Sequence, residues 1–158
     1  MRGVYTINVQ SSGILGGRTL LWAEPPSDRV VEILSASITN LDNDTSEQCE
    51  AGIYRIKSHT VGEVVDGTTY FEKHELGDPA CSIMASGTVN GAAGEPVYSG
   101  APIDRRGFNI LAGYYYDPIP EERPVLSPGV GVGIRLLAGA GTTATTYDTQ
   151  LVIREIGG

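Results

Sequence analysis

Hydrophobic and polar residues alternate along several stretches of this chain, most clearly in the segment TYDTQLVIREI at 146–156. One set of alternate residues consists of Tyr147, Thr149, Leu151 and Ile153. The other set consists of Asp148, Gln150, Val152 and Arg154. A period of two places successive side chains on opposite faces of a β-strand, so that one face can be buried. The segment is therefore predicted to be a half-buried strand.

Seven further segments alternate or are rich in β-branched residues. They are 4–9, 19–24, 29–40, 49–57, 68–76, 106–116 and 131–138. Leu34, Ala36 and Ile38 are predicted to share one face of the third, and Tyr54 and Ile56 one face of the fourth. No segment has the i, i+3, i+4, i+7 stripe of an amphipathic helix, and no helical crossover is long enough to join parallel strands. The sequence therefore predicts an all-β protein, an antiparallel jelly-roll-like β-sandwich of about eight strands with little or no helix.

A single domain over residues 1–158 is expected, because this length can bury a core of its own. Residues 77–104 interrupt the strand rhythm as a long low-charge loop, with Asp78, Glu95 and Asp104 as its charged residues. Loops of this length are uncommon unless they are functional or disordered, and the low charge argues against disorder. Two interpretations stay open: an insertion with one short strand or helical turn around CSIMA, or an interaction arm.

The charge balance and the cysteine count exclude several classes of protein. Lys and Arg total 11 against 19 Asp and Glu, a formal net charge of −8, which argues against a nucleic-acid partner because phosphate binding needs clustered cations. No apolar stretch approaches membrane-spanning length, and the N-terminus lacks a signal-peptide core, so we expect synthesis in a cytoplasm and no membrane partner. Cys49 and Cys81 are too few for a disulfide framework and are expected to be free thiols.

The spaced glycines of SPGVGVG are the first candidate for chemistry. Gly129, Gly131 and Gly133 follow a Pro-rich loop and precede a strand. A dinucleotide fingerprint needs a strand before its glycines and a helix after them, with a different third spacing. The stretch is therefore predicted to be a turn into a core strand, and the preceding PIPEERP a loop stiffened by its prolines.

Two further motifs resemble metal sites incompletely. HELGD at His74 has Asp78 where the zinc motif H-E-x-x-H has its second histidine, Gly77 and Pro79 disfavour the helix it needs, and the other histidine is the distant His59. In LDNDTSE, Asp42 and Asp44 have calcium-loop spacing. The EF-hand positions for Gly and Glu hold Glu47 and Ile53, which excludes that motif. A looser calcium site and a plain hairpin turn both stay open.

No enzyme is predicted. The chain has no G-x-S-x-G elbow, and the adjacent Glu121 and Glu122 would point to opposite sides of an extended chain rather than face each other. We therefore predict no catalytic, cofactor-binding or metal-binding residues. The run Tyr114–Tyr116 could offer a surface for sugar or partner binding, or pack in the core, with two rings on one side and one on the other.

The order of these pieces resembles a family of small tailed-bacteriophage virion proteins. The resemblance is carried by WAEPPSDRVVEILSASITN, by FNILAGYYYDPIPEERPVLSPGVGVGIRL and by the terminal LVIREIGG. It covers most of residues 19–158 and departs from the family pattern at 77–104. It implies a jelly-roll component of the virion that decorates, or cements, the outside of the major capsid protein shell and stabilises it.

The resemblance also implies where such a protein would reside and what it would bind. It would be made in the host cytoplasm and reside on the capsid exterior, with the major capsid protein and its own copies as partners. A trimer would match the threefold positions of a capsid lattice. No catalytic residues or cofactors come with the resemblance. The alternative is a carbohydrate- or receptor-binding head or fibre module that uses Tyr114–Tyr116 or Trp22, and a third alternative is an enzyme with an unrecognised site.

Overall fold

A computed structural model of the protein describes residues 3–58, 68–87, 95–137 and 143–156. Eleven strands fill these ranges: β1 Gly3–Ile14, β2 Arg18–Glu24, β3 Val30–Asn40, β4 Gln48–Ser58, β5 Thr68–Lys73, β6 Met84–Ser86, β7 Val97–Asn109, β8 Tyr114–Tyr116, β9 Val125–Leu126, β10 Val132–Leu136 and β11 Thr145–Ile156. Within the described ranges the helical content is one 3-10 turn, Pro120–Glu122. The prediction of an all-β antiparallel sandwich with little helix is confirmed.

Two antiparallel sheets form the sandwich in a jelly-roll order. The first sheet runs β5-β1-β11-β3-β8, with β9 also paired to β3, and the second runs β6-β2-β10-β4-β7. Eight of these strands pair from the ends of the chain inward: β1 with β11, β2 with β10, β3 with β8 and β4 with β7. This is a long antiparallel hairpin rolled up on itself, as a jelly roll is. The count exceeds eight because β5, β6 and β9 are additions beside this frame.

The core lies between the two sheets and is built from their inward-facing alternation. In β11 every second residue from Thr145 to Glu155 is buried, which confirms the period-two prediction for this strand. The buried cluster includes Tyr5, Ile7, Leu20, Ile33, Ile38, Ile53, Tyr114, Ile134, Leu151 and Ile153. It draws on both sheets, so burial of apolar surface between them is the main force that holds the sandwich together.

A bulge in β3 changes which residues share a face. Ser35 lies opposite Val152 and Ile33 opposite Ile153, so Leu34 is an extra residue in this strand. Val31 and Ile33 face the core before the bulge, and Ala36 and Ile38 face it afterwards. The prediction that Leu34 shares a face with Ala36 and Ile38 is therefore wrong, because a bulge shifts the alternation by one residue.

The predicted strand 106–116 is divided by a turn. The backbone N–H groups of Ala112 and Gly113 donate to the carbonyl of Asn109, and the Asn109 side chain accepts from the N–H of Leu111. Gly113 has a φ of +80°, a conformation that favours glycine. Asn109 and Gly113 thus end β7 and allow β8 to start in the other sheet, as the jelly-roll order requires.

The predicted loop 77–104 is largely built into the sandwich. It contains two segments that pair with strands of the second sheet. β6 begins at Met84, within CSIMA, and pairs with β2. The first residues of β7 pair with β4. Ile83 is buried in the core, and the Glu95 carboxylate accepts hydrogen bonds from the backbone N–H of Thr19 at 2.9 and 3.1 Å. The interpretation of an insertion with one short strand around CSIMA is confirmed by β6. The loop assignment is wrong for the start of β7, which pairs with β4, and residues 88–94 lie outside the described ranges.

Residues Tyr54 and Ile56 share a face, as predicted, but that face is the outer surface of the second sheet. Tyr54 lies opposite Gly133 of β10, and the Tyr98 ring packs over both, with its centroid 6.0 Å from that of Tyr54. A Cβ at Gly133 would collide with the Tyr98 ring. Arg135 stacks on Tyr98 at 4.5 Å from the ring centroid. The start of β7 therefore covers part of this outer face.

The stretch SPGVGVG is a turn into a core strand, as predicted. The backbone N–H of Val130 donates to the carbonyl of Ser127 at 3.0 Å, and Gly129, third in this turn, has a φ of +69°. Pro second and Gly third is the sequence of a type II turn. Val132, Ile134 and Leu136 of the following strand are buried. The glycines therefore serve backbone geometry and close packing.

Candidate functional site

The acidic loop between β3 and β4 is a turn that is tied by hydrogen bonds to the first residues of β11. The carboxylate of Asp42 accepts from the backbone N–H and the hydroxyl of Thr146 at 2.7 and 2.6 Å, and these bonds hold the pKa of Asp42 below its usual value. Asn43 is buried and donates to Thr145 Oγ1 at 2.9 Å. The link is a turn from β3 of the first sheet to β4 of the second, so the hairpin-turn interpretation is wrong, because a hairpin joins two paired strands of one sheet. Within the described ranges no three His, Cys, Asp or Glu residues are grouped so that they could hold a metal.

The segment around His74 does not form a zinc helix. His74 follows β5 in an exposed turn, with Nε2 2.8 Å from Thr6 Oγ1, and the backbone N–H of Asp78 donates to the carbonyl of Glu75 at 3.1 Å. A turn at this place separates the two ends of the motif that a helix would align. His59 lies outside the described residues.

Both thiols are free, as predicted. Cys49 is buried in the core, with Sγ 4.0 Å from the hydroxyl of Tyr147. Cys81 Sγ lies 3.7 Å from Oε1 of the buried Glu155, which also accepts from the N–H and hydroxyl of Ser82, both at 2.8 Å. Burial, with a smaller contribution from Glu155, raises the pKa of Cys81 to about 11. A thiol held protonated in this way is a poor nucleophile.

The tyrosine run alternates as predicted. Tyr114 is buried, Tyr115 is exposed and Tyr116 is half-buried, since β8 pairs with β3 and presents alternate side chains to opposite faces. Trp22 lies in β2 of the other sheet, opposite Gly133. The two aromatic candidates for sugar binding therefore belong to different sheets and do not combine into one surface.

A charged cluster lies along one open side of the sandwich. There β8 is the edge strand of the first sheet and β7 is the edge strand of the second. Asp104 Oδ1 accepts from Arg106 Nη2 at 2.6 Å, and Oδ2 accepts from Arg106 Nε at 2.9 Å and from the Tyr114 hydroxyl at 2.6 Å. Burial alone would raise the pKa of Asp104, but the hydrogen bonds from Arg106 and Tyr114 outweigh it and hold the pKa below its usual value. Asp104 therefore stays ionised and fixes the Arg106 guanidinium.

This cluster forms one wall of a solvent-open cleft of about 400 Å³, which we call the lateral cleft. Its lining is Ile103, Asp104, Arg106, Tyr116, Asp117, Pro118, Ile119 and Glu122. The 3-10 turn Pro120–Glu122 turns Glu122 into the lining, which does not include its neighbour Glu121. The extended chain on which the prediction for the two glutamates rested is replaced by this 3-10 turn, and Glu122 joins a site that the sequence did not reveal.

A second surface is formed by the connections at one end of the sandwich. The links β1–β2, β3–β4 and β7–β8 lie at the end where Ile14 pairs with Thr145 and Asn40 with Tyr147. Most of the link between β10 and β11 lies outside the described residues. Neighbouring links are joined by hydrogen bonds, from Asn109 Nδ2 to Ser46 Oγ at 2.7 Å and from the N–H of Ile110 to the carbonyl of Glu47 at 3.0 Å. We call this surface the loop end.

Each of these three links at the loop end carries an exposed leucine. Leu15, Leu41 and Leu111 have 57%, 52% and 54% of their surface exposed. Single exposed leucines are common on protein surfaces. Here the jelly-roll order brings three of them, distant in sequence, to the same end of the molecule.

Comparison of the chain with protein-family models, curated proteins and solved structures finds no match. In the part of the chain that the structure describes, no helix has the length and apolar character needed to cross a membrane.

Proposed function

We propose that the protein decorates a tailed-bacteriophage capsid, binding the outside of the major capsid protein shell and stabilising it. The observation that carries the proposal is the loop end, where three different links each carry an exposed leucine, Leu15, Leu41 and Leu111. The resemblance of the segments 22–40 and 108–136 to virion proteins supports the choice of partner. The jelly-roll fold fits the same role, although a fold alone does not determine a function.

The three leucines can supply a modest binding energy for each copy. Complete burial of a leucine side chain is worth about 1.5–3 kcal/mol. Since roughly half of each side chain is still exposed, contact with a shell would gain about 1 kcal/mol for each leucine. Weak contacts of this size suffice when an oligomer, such as a trimer, engages several sites of the lattice at once.

The loop end is also suited to binding because two of its links, β3–β4 and β7–β8, are held by hydrogen bonds. Ordering of loops upon association costs free energy, and a surface held by internal hydrogen bonds avoids that cost. Asp42 is tied to Thr146 and Asn109 to Ser46 within this end. The acidic side chains Asp42 and Asp44 lie beside Leu41 in the same link, so an apolar centre has a polar margin, as protein interfaces commonly do.

On this proposal the protein is made in the host cytoplasm, resides on the capsid exterior, uses no cofactor and catalyses no reaction. The experiment is co-sedimentation with empty shells of the major capsid protein from the same genome. The variant carries Leu15→Ser, Leu41→Ser and Leu111→Ser together. We expect its affinity for shells to fall by roughly 100-fold, since about 3 kcal/mol of apolar contact is removed.

Leu76→Ser is the matched control, because Leu76 is 98% exposed and follows β5 at the opposite end of the sandwich. It should bind shells within about twofold of the unaltered protein, since exposed substitutions rarely disturb the fold. Equal binding by the triple variant and the unaltered protein would contradict the assignment of the loop end. Failure of the unaltered protein to bind any shell would contradict decoration itself.

A further inference from the structure

The lateral cleft has a set of groups that capsid binding through the loop end does not use. We propose that it is a binding site for a neutral carbohydrate, one or two rings of a glycan. Its volume of about 400 Å³ lies within the range of small-molecule sites, about 300–1,000 Å³. This inference stands independently of the proposed decoration function, because the cleft lies on the side of the sandwich and the leucines lie at one end.

The donor side of the site is a preorganised guanidinium. Arg106 uses Nε and Nη2 to bind both oxygens of Asp104, and its cation lies 5.8 Å from the centroid of the Tyr114 ring. The side chain is half exposed at the cleft, which leaves the Nη1 group available to a ligand. A guanidinium held in this way loses little conformational entropy when it donates a hydrogen bond to a sugar hydroxyl.

The acceptor side and an apolar side complete the lining. Asp117 and Glu122 are exposed carboxylates on the loop after β8, and a carboxylate accepts the hydrogen bonds that sugar hydroxyls donate. Pro118 and Ile119 add apolar surface, and Tyr116 adds a ring and a hydroxyl. A sugar ring combines donors, acceptors and an apolar C–H face, which matches these three kinds of group.

The charge of the lining selects a neutral ligand. The cation of Arg106 is matched by Asp104, so Asp117 and Glu122 give the cleft an excess of negative charge, which disfavours phosphate, sulfate or carboxylate ligands. A lysine side chain could meet the two carboxylates, but it would leave the Arg106 donors and the apolar lining unused. Burial, and the nearby Asp104 and Glu122, raise the pKa of Tyr116, so its hydroxyl stays protonated as a donor.

The test is saturation-transfer NMR of the intact protein with a panel of methyl glycosides of glucose, mannose, galactose, rhamnose and N-acetylglucosamine at about 10 mM. At least one glycoside should show transfer, and amide shifts in an isotope-labelled sample should centre on 103–106 and 116–122. Glu122→Gln should weaken that binding about tenfold, because it removes a charged acceptor. Glu121→Gln, the matched control on the same 3-10 turn, should leave it within about twofold.

Three results would overturn the proposal. The first is no transfer from any glycoside of the panel. The second is binding that responds equally to Glu122→Gln and Glu121→Gln, or shifts that centre on the loop end. The third is binding of a lysine-containing tripeptide to the cleft when no glycoside binds. The cleft would then be a contact for a cationic side chain of another protein. Binding of shells by the Glu122→Gln variant, measured in parallel, separates this site from the decoration function.

Discussion

The Tyr114 hydroxyl offers a direct test of the cluster that anchors the lateral cleft. In Tyr114→Phe the ring stays in the core, with its centroid 6.0 Å from that of Phe108. The only group removed is the hydroxyl that donates to Asp104 Oδ2 at 2.6 Å. The variant therefore isolates one hydrogen bond from the packing around it.

The expected loss of stability follows from the charge on the acceptor. A hydrogen bond to an ionised group contributes about 1.5–3 kcal/mol. Asp104 Oδ2 keeps its bond from Arg106 Nε in the variant, so the carboxylate is not left without a partner and the loss should lie near the lower limit. We expect the free energy of unfolding to fall by about 1.5 kcal/mol at neutral pH.

The pH dependence of that loss supplies a second check. The pKa of Asp104 is held below its usual value, so the stability it contributes is present above the unfolded pKa of about 3.9. That contribution is lost as the pH falls through the lower folded value, where the carboxyl becomes neutral. Urea unfolding of both proteins should therefore show a difference that shrinks as the pH is lowered below about 3.9.

Tyr115→Phe is the control, because Tyr115 is 58% exposed and its hydroxyl lies on the opposite face of β8. Its unfolding free energy should change by no more than about 0.5 kcal/mol. A Tyr114→Phe loss as small as that of the control, or one that does not vary with pH, would refute the hydrogen-bonded cluster as described.

Three further outcomes are expected. At about pH 8 native Cys81 should react with a thiol reagent roughly 100-fold more slowly than a thiol of pKa 9.0, because its pKa is raised to about 11. In urea both cysteines should react, and a disulfide bridge between them would contradict the assignment of free thiols. Gly113→Ala should lower the unfolding free energy by more than about 1 kcal/mol, since φ is +80° and the new Cβ would lie 2.9 Å from the Ile38 carbonyl oxygen, whereas Gly77→Ala, with open space around it, should be nearly neutral. A chelator should leave the Tm unchanged because Asp42 is occupied by Thr146, and a fall of several degrees would indicate a metal in that loop.

The fold could be predicted where one face of a strand is buried and the other is not. In β11 the alternation is uninterrupted, so the strand and its core face were both evident. The start of β7 was missed because it is an edge strand in which both faces are largely exposed, as its residues Gly100, Ala101 and Pro102 show. Such a strand has no hydrophobic alternation to detect, and proline at its edge is tolerated where no ladder donor is needed.

The two candidate surfaces depend on long-range topology and were not predictable in the same way. Asp104 and Arg106 are two residues apart, a spacing that places them on one face of a strand, but the signal has meaning only once β7 is known to extend through them. Leu15, Leu41 and Leu111 look like ordinary apolar residues in sequence. Only the jelly-roll order brings their links to one end.

Capsid decoration through the loop end can be tested directly by an electron cryomicroscopy reconstruction of empty shells incubated with the protein. We expect added density on the outer surface of the shell, of the size of a β-sandwich, with the end that carries Leu15, Leu41 and Leu111 nearest to the major capsid protein. Shells without added density would contradict decoration, and sandwiches attached through the opposite end, at Leu76, would contradict the loop end as the contact surface.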